Sequence, residues 1–230
     1  MNNLKLSILH IIAAVIWAIM AIVSIAHENI MSAILALANG AIVSYIAAAH
    51  YSRHKKQREG GQKSRVLIVV DMQNDFVTGV LGTSAAQSIV QAVKEKICEY
   101  KSRGDRVIFT RDTHHADYLM TSEGKHLPVE HCVEGTSGWN IVDGLDVSDS
   151  EVINKGTFGY LGWEDEIDNG AEIEIVGLCT DICVVSNAII LKAMFPEATI
   201  KVDSAACAGV NPETHEAALT TMKMCQIEVV

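Results

Sequence analysis

"GLCTDICVVSNA", residues 177–188, holds the end of one structural element and the start of another. The β-branched and apolar run leading into it from Glu172 has the character of a strand, and from Asp181 to Met194 the pattern becomes helical. Two cysteines four positions apart, Cys179 and Cys183, straddle the junction. Outward from this point, short β-rich runs at 66–71, 106–112, 151–155, 172–178, 199–203 and 226–230 alternate with helical or loop stretches. Helices are predicted over 84–103, over 181–194 and after Asn211-Pro212-Glu213, where a capping residue precedes a proline at the first helical position. Strands alternating with helices predict an α/β fold, a doubly wound six-stranded parallel sheet of the Rossmann-like, three-layer kind.

The chemistry-bearing residue types fall at the ends of these strands. Asp71 closes the first, Asp112 the second and Lys155 the third, while Cys183 lies just past the fourth, in the first turn of the next helix. In open parallel sheets the ligand crevice lies outside the carboxyl ends of the strands, so these four share one rim. A cysteine in a first helical turn meets unsatisfied amides and the positive end of the macrodipole, which favour thiolate over thiol. Cys183 is placed that way and Cys179 is not. An aspartate can take the thiol proton, and a lysine beside it can hold the charged pair. Asp112 and His114 are two apart, so in extended backbone their side chains point the same way, and His131 can close a metal site from a later loop. A carboxylate with imidazoles suits Zn²⁺, Mn²⁺ or Fe²⁺.

The 230 residues are 49% hydrophobic with a formal net charge of -10 and a mean hydropathy of +0.22, and the apolar excess is concentrated before residue 50. From Leu6 to Ala26 the only polar side chains are Ser7, His10 and Ser24, and from Ile30 to Ala49 only Ser32, Asn39, Ser44 and Tyr45 interrupt the run. Each run reaches the roughly 20 residues that cross a hydrocarbon core about 30 Å thick. The expectation is a two-helix transmembrane hairpin over 1–52, a basic linker over 53–64 and the α/β domain over 65–230. Lys5 precedes the first run, and Arg53, Lys55, Lys56, Arg58, Lys63 and Arg65 follow the second, while His27-Glu28-Asn29 between them has no lysine or arginine. The positive-inside rule then predicts a multi-pass cell-membrane protein with its catalytic domain in the cytoplasm. Ser32, Ala36, Gly40, Ser44 and Ala48 recur every four residues, a small-residue stripe suited to packing within the hairpin or between copies, which leaves a homo-oligomer open. Residues 66–230 carry 11 Lys/Arg against 26 acids, and this acidity speaks against a nucleic-acid partner. In a cytoplasmic setting the six cysteines are expected as thiols rather than disulfides.

"VLIVVDMQNDF" (66–76), "NKGTFG" (154–159) and "GLCTDICV" (177–184), in this order and spacing, resemble the isochorismatase-like cysteine hydrolases over nearly all of residues 65–230. The resemblance implies Asp71 as general base, Lys155 as its partner and Cys183 as nucleophile. It also implies an oxyanion hole formed by the backbone amides of Cys179 and Cys183, beside a non-proline cis peptide. "RDTHHADYLMTSEGKHLPVEHCVEGTSGW" (111–139) resembles the nicotinamidase branch, which implies Asp112, His114 and His131 as ligands of a divalent metal, Zn²⁺ foremost, with Glu123 or a water as the fourth. The implied activity is hydrolysis of a small carboxamide through a cysteine thioester, nicotinamide to nicotinate plus ammonia.

The chain departs from that branch at Pro128, where nicotinamidases commonly carry a tryptophan that packs on the pyridine ring. Phe76, which matches the family's pocket phenylalanine, and Tyr160 are the expected substrate-lining residues in its place. A hydrolase of another small amide or carbamoyl compound would keep the triad without needing the metal, and a membrane-tethered inactive binding module would need neither. Isochorismatases that cleave a vinyl ether lack the nucleophilic cysteine, so Cys183 speaks against that reaction.

Overall fold

The computed structural model describes residues 64–230 together with Val15, Ile16 and Ile19. The chain divides into two units, Met1–Gln62 and Lys63–Val230, and the sheet belongs to the second. Its strands are β1 (Arg65–Val70), β2 (Arg106–Asp112), β3 (Glu151–Lys155), β4 (Glu172–Leu178), β5 (Thr199–Ala208) and β6 (Glu228–Val229). The longer helices are α1 (Val90–Ser102), α2 (Val185–Met194) and α3 (Pro212–Met224). Among the described residues the strands form one sheet in the order β3-β2-β1-β4-β5-β6, with every neighbouring pair parallel. The order reverses direction between β1 and β4, and that switch point is where an open α/β sheet leaves a crevice.

β1 explains the three layers. Val66 to Val70 are all fully buried, a continuous apolar run rather than an alternating one, because helices cover both faces of the strand. Val66, Ile68 and Val70 face a core that includes Leu191 of α2, Met222 of α3 and Trp163. Leu67 and Val69 face the opposite core, with Val93 and Ile97 of α1. Asn211 caps α3 as expected, its side chain accepting a hydrogen bond from the backbone of Thr214.

The stretch expected as one helix over 84–103 is two, Ser84–Ser88 and α1, with Ile89 between them. β5 runs on to Ala208, beyond the expected end at 203, because "SAACA" (204–208) pairs with β4 through Cys207 and Ala208 although its small side chains carry little strand signal.

The transmembrane hairpin requires a correction. Among the described residues no helix is long and apolar enough to cross a membrane. The longest, α1 and α3, have 13 residues each, about 20 Å at 1.5 Å per residue against a hydrocarbon core of about 30 Å. The expected spans lie outside the described residues apart from Val15, Ile16 and Ile19, which are helical and exposed. The fold class is therefore the parallel α/β sheet without the hairpin, and the membrane partner and multi-pass location expected from the hairpin are withdrawn with it.

Gly177 lets β4 meet β1 at the switch point. It pairs with Val70, adopts φ +115°, and a Cβ there would lie 2.2 Å from the carbonyl oxygen of Val70. Gly177→Ala should combine a strained backbone with that overlap and cost at least about 2 kcal/mol of unfolding free energy. Equilibrium urea denaturation measures it, and a variant within about 0.5 kcal/mol of the parent would contradict this account of the strand junction.

Candidate active site

Each strand around the switch point delivers one functional side chain. Asp71 follows β1 in a left-handed conformation, φ 47°. Its N–H donates to the carbonyl of Thr110 at 3.2 Å, and its Oδ1 accepts from the Thr110 hydroxyl at 2.7 Å. A non-glycine residue is held in this region only where its surroundings dictate it. Asp112 ends β2, and its backbone is gripped on both sides by the buried amide of Gln73, at 2.7 Å to its N–H and 2.8 Å to its carbonyl. Lys155 ends β3 opposite Asp112. Beyond β4 the Leu178–Cys179 peptide is cis, and the chain makes one π-helical turn, Thr180–Val184, that carries Cys183 into α2.

The Lys155 ammonium is the common contact of these groups. Its Nζ lies 2.7 Å from Asp71 Oδ2, 3.2 Å from Asp112 Oδ1 and 3.5 Å from Cys183 Sγ. Burial works against the ammonium, but Asp71, Cys183 and Asp112 outweigh it, and the Lys155 pKa lies above its ordinary value. Burial raises the Asp71 carboxyl and outweighs Lys155. For Asp112, burial is outweighed by His114 and Lys155, which hold its pKa below the usual range.

Cys183 itself differs from expectation. Its place at a helix start predicted a resting thiolate, yet burial, reinforced by Asp71, pushes its pKa well above the ordinary thiol value. In this enclosed position desolvation opposes the pull of the helix start. Burial and Asp181 push the Cys179 thiol up as well, to about 12.

Next to this group stand Asp112, His114, Glu123 and His131, whose ligand atoms all lie within 4.8 Å of one another. His114 Nε2 is 2.9 Å from Asp112 Oδ2 and 3.7 Å from Glu123 Oε1. His131 Nε2 is 3.8 Å from each of the same two oxygens. His131 Nδ1 bonds the Val129 carbonyl at 2.8 Å, which places the ring proton there and leaves the Nε2 lone pair turned to the cluster. His114 Nε2 is buried and, despite its closeness to Asp112, makes no hydrogen bond of acceptable geometry. An orphaned imidazole nitrogen facing two carboxylates fits a divalent metal ion. Burial and the nearby Asp112 raise the Glu123 carboxyl pKa, outweighing His114, His131 and Lys155.

Cys183 and the four metal-donor residues open on one cavity of about 800 Å³, whose lining includes Cys179, Cys183, Asp112, His114, Glu123 and His131 and the apolar Phe76, Leu127, Phe158, Ile182 and Val210, with Asp71 and Lys155 behind the lining. Tyr160 is not among the lining residues. Its ring stands edge-on against Trp163, centroids 5.2 Å apart, and Phe158 reaches the cavity in its stead. Thr110, Gln73 and Asn187 are fully buried polar residues around the site that sequence reasoning did not single out, although Gln73 lies within the "VLIVVDMQNDF" stretch. Strand alternation could have flagged Thr110, two positions before Asp112, and Asn187 is one of three polar residues, with Ser186 and Lys192, in a mostly apolar helix.

An α/β sheet with a cysteine, an aspartate and a lysine converging on its switch point defines a class of hydrolase, and the comparisons agree with that class. Residues 65–230 match the isochorismatase domain. The chain belongs to the isochorismatase family. It is similar to the nicotinamidase/pyrazinamidase of Mycobacterium tuberculosis, 31% identical over 185 residues that cover 72% of this chain and 98% of that protein. It is also similar to the nicotinamidase of Schizosaccharomyces pombe, 30% identical over 204 residues that cover 71% of this chain and 91% of that protein. Among solved structures, the pyrazinamidase of Pyrococcus horikoshii in complex with zinc superposes with a TM-score of 0.63 at 28% identity, covering 73% of this chain and 98% of that one.

Removal of one donor tests the metal site. His114→Ala protein, dialysed against metal-free buffer, should keep less than about a tenth of the divalent metal that the parent chain retains, because such sites lose affinity steeply with each ligand. Elemental analysis measures this, and equal metal content in the two proteins would contradict the site.

Proposed function

We propose that this protein hydrolyses nicotinamide to nicotinate and ammonia through a thioester on Cys183. The observation that carries the reading is the Lys155 ammonium in contact with both the Asp71 carboxylate and the Cys183 sulfur, beside a cavity that Cys183 lines. Asp71 takes the Cys183 proton as the sulfur attacks the carboxamide carbon, and Lys155 steadies the charge that passes between them. The raised pKa of Asp71 suits this role, since a carboxylate shifted toward neutrality is a stronger base. The amides of Cys179 and Cys183 receive the developing oxyanion. The C–N bond then breaks, with Asp71 returning the proton to the departing ammonia. Asp71 next deprotonates a water that cleaves the thioester, which releases nicotinate and restores the thiol.

Asp112, His114, Glu123 and His131 hold the metal, proposed as zinc from the imidazole and carboxylate donors and the zinc complex of the P. horikoshii relative. Bound there, it supplies Lewis acidity at the edge of the substrate cavity. Phe76, Leu127 and Phe158 offer apolar surface for an aromatic ring. Among the described residues no lysine or arginine lines the cavity. That favours a neutral amide over an anionic substrate. A second reading, hydrolysis of a larger neutral carboxamide by the same residues, is favoured by the cavity volume of about 800 Å³, and a panel of ring-substituted carboxamides compares the two.

Cys183→Ala should lower ammonia release from nicotinamide by at least about 10³-fold, whereas Cys179→Ala, which keeps its backbone amide, should stay within about fivefold of the parent. Substantial turnover by the folded Cys183→Ala protein would overturn the proposal.

A further inference from the structure

Asn187 lies one helical turn beyond Cys183, is fully buried, and spends its whole amide on three separate segments. Its Oδ1 accepts from the backbone N–H of Tyr160 at 2.9 Å and from the indole N–H of Trp163 at 3.1 Å. Its Nδ2 donates to the carbonyl of Cys183 at 2.8 Å and to the carbonyl of Phe158 at 3.2 Å. Two donors meet the oxygen and two acceptors meet the nitrogen, so only this orientation of the amide satisfies all four partners.

The partners matter because of where they sit. Cys183 belongs to the turn after β4, and Phe158 and Tyr160 to the loop that leaves β3 directly after Lys155. β3 is an edge strand paired with β2 alone, and its ladder ends at Lys155 opposite Asp112. Past that residue, Asn187 takes over the binding of the loop backbone. The loop also lies close on α2, since a Cβ at Gly159 would come 2.3 Å from Ile190 Cδ1. We infer that Asn187 is a positioning residue that sets the spacing between the Lys155 ammonium and the Cys183 sulfur by tying the β3 loop to the nucleophile turn. The 3.5 Å contact between those two atoms joins segments with no shared strand ladder, and three of the four hydrogen bonds of one side chain bridge them.

This inference rests on Cys183 as the nucleophile, and the test separates the two. Asn187→Ala leaves a small polar space that water can fill, so the fold is expected to persist by circular dichroism. Its kcat on nicotinamide should fall about 10- to 100-fold with KM changed less than about threefold, and alkylation of Cys183 by iodoacetamide should slow about tenfold. Asn187→Asp keeps the two acceptor bonds but sets its second oxygen against the carbonyls of Cys183 and Phe158, so it should lose at least as much as Asn187→Ala in both rates. Trp163→Phe removes one partner of Asn187 outside the loop and the turn. It should lower the melting temperature and leave both rates within about twofold of the parent. Wild-type kcat and alkylation in folded Asn187→Ala would overturn the inference, as would an equal loss of both rates in Trp163→Phe, which would mark a general packing effect. If Cys183→Ala is inactive while Asn187→Ala matches the parent, this inference alone fails. If Cys183→Ala is active, the thioester reading fails and this inference with it.

Discussion

A buried ammonium is the constraint on which the rest of this site depends. Taking a lysine head group out of water costs several kcal/mol even after relaxation, and that cost is met only by well-placed partners. Lys155 finds three, Asp71 Oδ2 at 2.7 Å, Asp112 Oδ1 at 3.2 Å and Cys183 Sγ at 3.5 Å. They arrive from the ends of β1 and β2 and from the turn after β4, and Lys155 itself from β3. The strand order β3-β2-β1-β4 is what brings these four chain segments to one rim. Because Asp112 also faces His114 and His131, the cation links the sulfur chemistry to the metal donors through one carboxylate.

The backbone around that cation is held by neutral residues outside the Asp71-Lys155-Cys183 group. Gln73 clamps Asp112 through both of its backbone groups, Thr110 restrains the left-handed turn at Asp71, and Gly177 admits the close approach of β4 to β1. Asn187 does the same for the loop after Lys155. Each is fully buried or packed against backbone, and none has a freely moving side chain. The electrostatic pairing therefore sits in a frame fixed by neutral hydrogen bonds, which strengthen in a low-dielectric interior where no water competes.

Much of this frame was legible in the sequence, and the parts that were not share a cause. The runs at 106–112, 151–155 and 172–178 coincide with β2, β3 and β4, because β-branched residues bounded by turn formers are local signals. Asp71, Asp112, Lys155 and Cys183 could be placed on one rim from strand ends alone, and the structure brings them together. Residues 204–208 were missed because their pairing with β4 is a long-range matter that small side chains do not announce. Tyr160 is expected from the sequence to line the cavity, but the tertiary contact with Trp163 turns it elsewhere and leaves Phe158 at the rim. The upward shift of the Cys183 thiol comes from burial among distant segments, which no local pattern reports. The apolar runs before residue 50 met the length rule for spans, and the described residues hold no helix that answers to it.

Replacement of Lys155 by methionine is the most direct measurement of the account, since it keeps an unbranched side chain of similar bulk, one atom shorter, and removes the charge together with its N–H donors. With the fold verified by circular dichroism, the account predicts that Asp71 loses its counter-cation, takes up a proton and no longer serves as a base. Ammonia release from nicotinamide should then drop at least about 10³-fold, with the metal donors still in place and metal content retained. A folded Lys155→Met protein that releases ammonia at a rate near that of the parent would contradict the claim that this buried ammonium organises the site.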